Sequence, residues 1–362
     1  MPLLINLLTR KQLLDIGGRR KIHKGFIPSM GGIAIFIGVC FALAVWVPFG
    51  ELAYYRYVCA AMVIIFITGL RDDYLPLPPS GKLATQLLAA TMVVWGGGNF
   101  EMGIRVTSFY GFMGIGELPL WASYFVSVFI IIVITNAFNL IDGLDGLAGT
   151  ISLIAFAALA GWFLSVCDKD NNALVLGLLL VAFVGTILAF LCYNWHPASI
   201  FMGDTGSLLI GFVLSVGIIK FLTTTGAHPA ESMFHIQAPI SVAIAIAIMP
   251  LFDTGRIFLL RLSQGRSPFS PDKHHIHHML KRMNMSHAQV ALFMGAFYVM
   301  FVGVVVVLAS RLPDNVLVPL IAGSCVAFHF LLHYAVNSFF ARRQKQIKRM
   351  LLAAAAQSAQ PA

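Results

Sequence analysis

Runs of about 20 apolar residues recur along the whole chain, and the residues able to do chemistry gather at their ends. An α-helix needs about that length to cross a hydrocarbon core of about 30 Å. Ten candidate spans lie at roughly 30–50, 52–70, 83–97, 119–138, 147–167, 173–192, 200–221, 238–259, 288–309 and 315–340. The third is short and ends in Gly96, Gly97 and Gly98. Of the 362 residues 59% are hydrophobic and 11% charged, against roughly 25% charged in a soluble domain, so the chain lacks the residues for a water-facing surface. A β-barrel would show short alternating segments instead. The expected fold is therefore an all-α polytopic membrane protein of about ten transmembrane helices. Residues 1–340 form one integral-membrane domain, followed by a basic cytoplasmic tail, 341–362, disordered at its end.

Orientation follows from the lysines and arginines. Threading the spans alternately through a bilayer puts Arg56, Arg105, Lys169, Lys220 and Arg311 on one side and the other 19 of the 24 basic residues on the opposite side. Cytoplasmic loops carry the basic excess, so residues 1–29 are assigned to the cytoplasm. The net charge of +9 thus points to cytoplasmic loops and anionic headgroups. The basic residues are dispersed among the spans, which argues against a nucleic-acid partner. The five cysteines lie in or near apolar runs without CxxC spacing and read as structural thiols. No cleavable signal pattern is present. On the outer side, segment 98–118 is Gly-rich with alternating apolar residues and is expected to form a small periplasmic β-hairpin.

Four polar clusters fall on the basic side. RDDY ends the second span at 71–74, and its adjacent acids Asp72 and Asp73 can serve as a solvated cap. Lys82, one loop later, can neutralise one of them or meet a substrate phosphate as a point charge. In NLIDGLDG (139–146), Asp142 and Asp145 are three apart and face one way on a helix or tight turn, with Asn139 on the same face. Gly143 and Gly146 leave bare backbone for the close approach of a ligand. Such oxygens suit a hard divalent cation such as Mg²⁺; a Gly-rich turn with Asx caps is the plainer alternative. FMGDTGS puts Asp204 at the start of a span, where the helix dipole favours an acid, yet an ionisable group so near membrane depth is costly and usually functional. Asn194 and His196 lie just upstream on the same side. Finally, SPFSPDKHHIHH (267–278) carries His274, His275, His277 and His278 among Arg261, Arg266, Lys273, Lys281 and Arg282. No cysteine stands near to complete a structural zinc site, so the loop reads as a cationic surface for an anionic ligand. Together the clusters supply carboxylates for a metal, glycines for close approach and cations for phosphates. That combination suits metal-assisted phosphoryl chemistry at a membrane interface.

In this order and at these span ends, HKGFIPSMGG, GLRDDY, NAFNLIDGLDGL, FMGDTGS and SPFSPDKHHIHH resemble the signatures of the polyprenyl-phosphate N-acetylhexosamine-1-phosphate transferases. The resemblance runs from about His23 to the last span. SPFSPD before HIHH is most similar to the branch that joins UDP-N-acetylglucosamine to undecaprenyl phosphate; the close cousin acts on UDP-N-acetylmuramoyl-pentapeptide. The resemblance implies an enzyme, a phosphoglycosyltransferase of the bacterial inner membrane with its active site facing the cytoplasm. Its products would be undecaprenyl-diphospho-N-acetylglucosamine and UMP, its cofactor Mg²⁺ (or Mn²⁺), and its pathway O-antigen, enterobacterial common antigen or a related envelope glycan. A homodimer is compatible with it.

By the same resemblance Asp204 is a metal ligand, and Asp142 and Asp145 are the second acidic pair, with Asp145 a second metal contact. Asp72 and Asp73 would accept the lipid phosphate's proton or help hold metal. Lys82, Asn139 and Asn194 would line the nucleotide-sugar site. Arg261, His275, His277 and His278 would hold diphosphate and sugar, with His275 in the catalytic set. The family carries a full apolar helix before the basic segment; here only MPLLINLLT precedes Arg10, so that helix is expected to be absent or the start assigned too late. A multi-span transporter is the competing class, but transporters put ionisable residues at mid-membrane on broken helices in related halves, and no related halves are found.

Overall fold

The computed structural model describes residues 1–11, 14–15, 27–96, 103–167, 171–227, 236–265 and 275–358. Thirteen α-helices run through the described residues: α1 (Pro2–Arg10), α2 (Gly32–Trp46), α3 (Phe49–Leu52), α4 (Arg56–Tyr74), α5 (Pro79–Trp95), α6 (Leu120–Ile141), α7 (Leu147–Ser165), α8 (Asn171–Asn194), α9 (Gly203–Ala227), α10 (Pro239–Ser263), α11 (Ile276–Arg282), α12 (His287–Ala309) and α13 (Asp314–Ser358). Each of the ten expected spans overlaps one of these helices. Seven, α6 to α10, α12 and α13, are long and apolar enough to cross a membrane, and α2 is a shorter apolar helix. The chain is a polytopic helical membrane protein.

Helix α9 is the hub. Of its apolar stretch 94% is buried, against 17% for α13, and α2, α4, α6, α7 and α10 pack around it. Outward faces carry large apolar side chains such as Phe41, Trp46, Phe125 and Phe330, which water would penalise and hydrocarbon accepts. Close helix approach here depends on small residues, as expected where lipid tails are as apolar as the side chains. A Cβ on Gly69 of α4 would stand 2.5 Å from Thr205 Cα and 2.6 Å from the Asp204 carbonyl oxygen. The first turn of α9 can therefore rest on the end of α4 only because residue 69 has no side chain.

Pro250 interrupts α10. Proline has no N–H, so the carbonyl four residues back loses its helical partner. That carbonyl belongs to Ile246, and the Tyr298 hydroxyl of α12 donates to it, which satisfies a polar group that lipid could not.

Outside the bundle, an antiparallel bridge joins Ser108 to Glu117. Leu118 N–H donates to the Thr107 carbonyl at 2.8 Å and Phe109 N–H to that of Gly116 at 3.0 Å, so the described part of the expected hairpin is a tight one. It is tied down by Tyr110, whose hydroxyl donates to the Leu222 carbonyl of α9. The only other pairing among the described residues is the two-residue ladder Leu14–Asp15 with Ile27–Pro28. Gly97, Gly98, Arg19, Arg20, Lys21, Lys24, Lys169, Arg266, Lys273 and His274 lie outside the described residues.

Candidate active site

The ends of α4, α6, α8 and α10 and the starts of α5, α7, α9 and α12 meet at one end of the bundle, so clusters far apart in sequence become neighbours. The first group forms around the start of α9. Asp73, in the last turn of α4, spends both carboxylate oxygens there: Oδ1 accepts from Asp204 N–H at 2.8 Å, and Oδ2 from Thr205 N–H at 3.0 Å and its hydroxyl at 2.5 Å. The first N–H groups of a helix have no partner within it, and an anion also suits the dipole. Asp73 is therefore a cap for α9 supplied by another helix. Gly203 makes room for it: a Cβ there would stand 2.5 Å from Asp73 Oδ2, and its backbone has φ +72°. Burial pushes the Asp73 carboxyl up to about 6, even against the donors that hold it.

Asp72 points elsewhere. Its Oδ1 accepts from Leu77 N–H at 2.6 Å, and its Oδ2 pairs with Lys82 Nζ. Lys82, in the first turn of α5, also reaches Asp204 Oδ2 at 2.7 Å. One ammonium thus bridges two carboxylates from separate helices. Burial, and then the neighbouring Asp204 carboxyl, raise Asp72 above the ordinary aspartate range. Burial alone would depress Lys82, but its bonds to Asp204 and Asp72 outweigh that and hold it above the ordinary lysine value. Asn139, in the last turn of α6, donates to Asp204 Oδ1 at 2.9 Å and to Ser207 Oγ at 2.8 Å. Asp204 thus bonds to side chains of α5 and α6 rather than capping its own helix.

The second group follows Asn139 along the same chain. Asp142 ends α6, half-buried. Asp145 is buried, with Oδ2 2.7 Å from His196 Nδ1, 3.2 Å from His287 Nδ1 and 3.4 Å from Ala198 N. Asn194 accepts from Gly146 N–H at 2.9 Å and donates to the Ile200 carbonyl at 2.8 Å, latching the start of α7 to the segment that leads into α9.

The histidine corner forms the third wall. Asp253, buried within α10, accepts at Oδ1 from Ile276 N–H at 2.9 Å, while its Oδ2 lies 2.8 Å from His275 Nδ1. That carboxylate sets where α11 begins. His277 lies so close to the Asp142–Asp145 turn that a Cβ on Gly143 would stand 2.8 Å from its Nε2. His278 sits beside it, ring centroids 4.4 Å apart and the rings tilted by 51°. Burial holds His277 down to about 3, so it is neutral near pH 7. Arg261 occupies the last turn of α10.

Sequence reasoning missed Asp253 and His287 altogether and gave His196 no role. Asp253 carried a usable signal, since it is an acid inside a 25-residue apolar helix, where ionisable groups are rare. His287 carried none, because its partner stands 142 positions away (287 against 145) and only the packing joins them.

Can these residues hold Mg²⁺? The ion takes one or two carboxylates along with substrate oxygens and water. Asp72 and Asp204 are neighbouring carboxylates already sharing one cation, so the donor set fits.

Residues 55–222 match the family model described as glycosyl transferase family 4. The chain is 35% identical over 287 residues (79% of this chain, 74% of the relative) to the probable undecaprenyl-phosphate N-acetylglucosaminyl 1-phosphate transferase of Bacillus subtilis. It is 32% identical over 354 residues (94% and 88%) to the undecaprenyl-phosphate alpha-N-acetylglucosaminyl 1-phosphate transferase of Escherichia coli K12. To the decaprenyl-phosphate N-acetylglucosaminephosphotransferase of Mycobacterium leprae it is 32% identical over 306 residues (79% and 74%).

Proposed function

The chain belongs to glycosyl transferase family 4, among its polyprenyl-phosphate N-acetylglucosamine-1-phosphate transferases, and from that premise we propose how its residues divide the reaction. The enzyme transfers N-acetylglucosamine 1-phosphate to undecaprenyl phosphate, with UDP-N-acetylglucosamine as donor. An oxygen of the lipid phosphate attacks the β-phosphorus, the bond from that phosphorus to the UMP oxygen breaks, and UMP leaves with the electron pair.

The observation that carries this reading is the convergence of Asp72, Lys82 and Asp204 at one end of an apolar bundle, where a membrane-held phosphate and a water-borne nucleotide sugar can meet. Lys82, a cation between two acids, is placed to exchange those partners for phosphate oxygens. Asp72 and Asp204 would hold Mg²⁺ (or Mn²⁺), which when bound supplies charge neutralisation for the diphosphate. Asp73 is poorly placed as a base, since three donors occupy its oxygens. A strong base is not required, because a phosphomonoester loses its second proton near pH 6. Asn139 orients Asp204, and Asp142, Asp145 and Asn194 form the turn that would receive the nucleotide. Arg261, His275 and His278 would face the diphosphate and sugar, with His277 a neutral wall behind them. The basic excess supports a cytoplasmic setting for this end, where the UDP-sugar donor would be met, and the bilayer would then be the bacterial inner membrane. The product would initiate an envelope glycan.

The test is to incubate the purified protein with undecaprenyl phosphate, Mg²⁺ and a panel of UDP-sugars, and to read the lipid product by mass spectrometry. Undecaprenyl-diphospho-N-acetylglucosamine with stoichiometric UMP is expected, and none in chelator. Absence of lipid product with every donor would refute the reading.

A further inference from the structure

Two histidines from remote parts of the chain converge on a single oxygen of Asp145. His196 Nδ1 lies 2.7 Å and His287 Nδ1 3.2 Å from Oδ2, and one ligand atom from each of the three residues lies within 4.8 Å of the others. Zinc held at about 2.0–2.1 Å by tetrahedral ligands separates them by about 3.3 Å. The two nitrogen–oxygen spacings, 2.7 and 3.2 Å, lie inside that value, so an outward shift of the side chains would admit an ion. The rings stand 4.7 Å apart between centroids and 41° from coplanar, an arrangement open to two imidazoles on one ion. Asp145 and His287 are 2–3% exposed at the side chain, whereas His196 is 38% exposed, so an ion can reach the group from water.

The donor chemistry separates this place from the carboxylate pair at Asp72 and Asp204. Magnesium takes oxygen ligands, while imidazole suits zinc and its neighbours. We infer that Asp145, His196 and His287 form a second cation site, for a divalent transition ion of the zinc class. The ion would clamp together three elements that touch at this corner: the α6–α7 turn, the segment after α8 and the first residue of α12. The inference does not depend on the identity of the sugar donor or of the lipid.

The test uses the full chain without an affinity tag, purified in detergent, stripped with chelator and dialysed. It is titrated with Co²⁺ in excess Mg²⁺ while the visible absorption of four-coordinate cobalt is followed. Saturation at one equivalent, bleached by Zn²⁺, is expected for the wild type. His196→Gln and His287→Gln should each weaken binding tenfold or more, while His278→Gln leaves it unchanged. A wild type with no such band, or unchanged binding in His196→Gln, overturns the site; so does loss of the band in His278→Gln alone, which would assign the ion to the α11 histidines. A thermal scan checks each variant's fold. If His287→Gln does not fold, His196→Gln decides alone, since its ring is at the surface.

Discussion

His275 Nδ1 lies 2.8 Å from Asp253 Oδ2, and the same carboxylate accepts Ile276 N–H at 2.9 Å. Asp253 therefore fixes both the ring orientation of His275 and the start of the helix that carries His277 and His278. Asp253 is itself buried, with Arg256 Nη2 3.4 Å from its Oδ1. Carboxylates that orient a metal-bound imidazole are worth about 10–100-fold in activity or affinity, and the same restraint on ring and tautomer acts on His275 here. Asp253→Asn is expected to lower UMP release about 10–100-fold, with Asp253→Glu recovering part of it. Wild-type turnover in Asp253→Asn would show that His275 needs no such partner.

Lys82 makes a second prediction. It bridges Asp72 and Asp204 with 26% of its side chain exposed, against 8% for Asp72 and 28% for Asp204, so it serves the fold in part and the chemistry more. Partly screened ion pairs stabilise modestly, whereas removing one preorganised charge from a reacting centre costs about 10²–10³-fold in rate. Lys82→Met should lower the melting temperature by a few degrees and reduce turnover about 10²–10³-fold, with Lys82→Arg intermediate in both. A variant that loses its fold along with its activity would put the bridge in the scaffold instead.

Much of this arrangement was legible in the sequence. Apolar run length located ten helices, and alternation of spans brought GLRDDY, NLIDGLDG, FMGDTGS and HIHH to one end before any packing was known. The limits are equally physical. Asp72 and Asp73 are neighbours in sequence but about 100° apart around a helix, so one caps α9 and the other faces Lys82, a difference that composition cannot express. Pro79 fixes the start of α5 four residues before the apolar run begins, because a proline suits the first turn of a helix. The two carboxylate–histidine groups rest on residues remote in sequence, and periodicity carries no information about such pairs.

Gly69 tests the packing that brings Asp204 to the site. An added methyl would meet the Thr205 Cα at 2.5 Å and Thr205 N at 2.7 Å, and these are backbone atoms that cannot rotate away. Overpacking of this kind costs about 1–3 kcal/mol. Gly69→Ala should therefore lower the melting temperature and reduce turnover together, because the start of α9 must move to accept it. Gly255→Ala, on α10 with nothing among the described residues near the added methyl, is the control and should lose neither stability nor turnover. An unchanged Gly69→Ala would mean that α4 and α9 are not held this closely.

His277 gives the protein a pH dependence whose sign can be worked out. Burial holds its folded value near 3, against about 6.5 in an unfolded chain. Above pH 6.5 neither state binds the proton, and the full stability is present. As pH falls from 6.5 toward 3, the unfolded chain takes up a proton that the folded chain refuses, and stability is lost by at most about 1.4 kcal/mol per pH unit. Asp73 acts with the opposite sign. Its folded value of about 6 lies above the ordinary 3.8, so its contribution grows as pH falls through the same range. The raw melting curve mixes the two, and the difference between wild type and His277→Gln isolates the histidine. That difference should be flat above pH 6.5 and should tilt steadily against the wild type from pH 6.5 to pH 4. Parallel melting curves for the two proteins across this range would show that His277 takes up its proton as readily in the folded chain as in water.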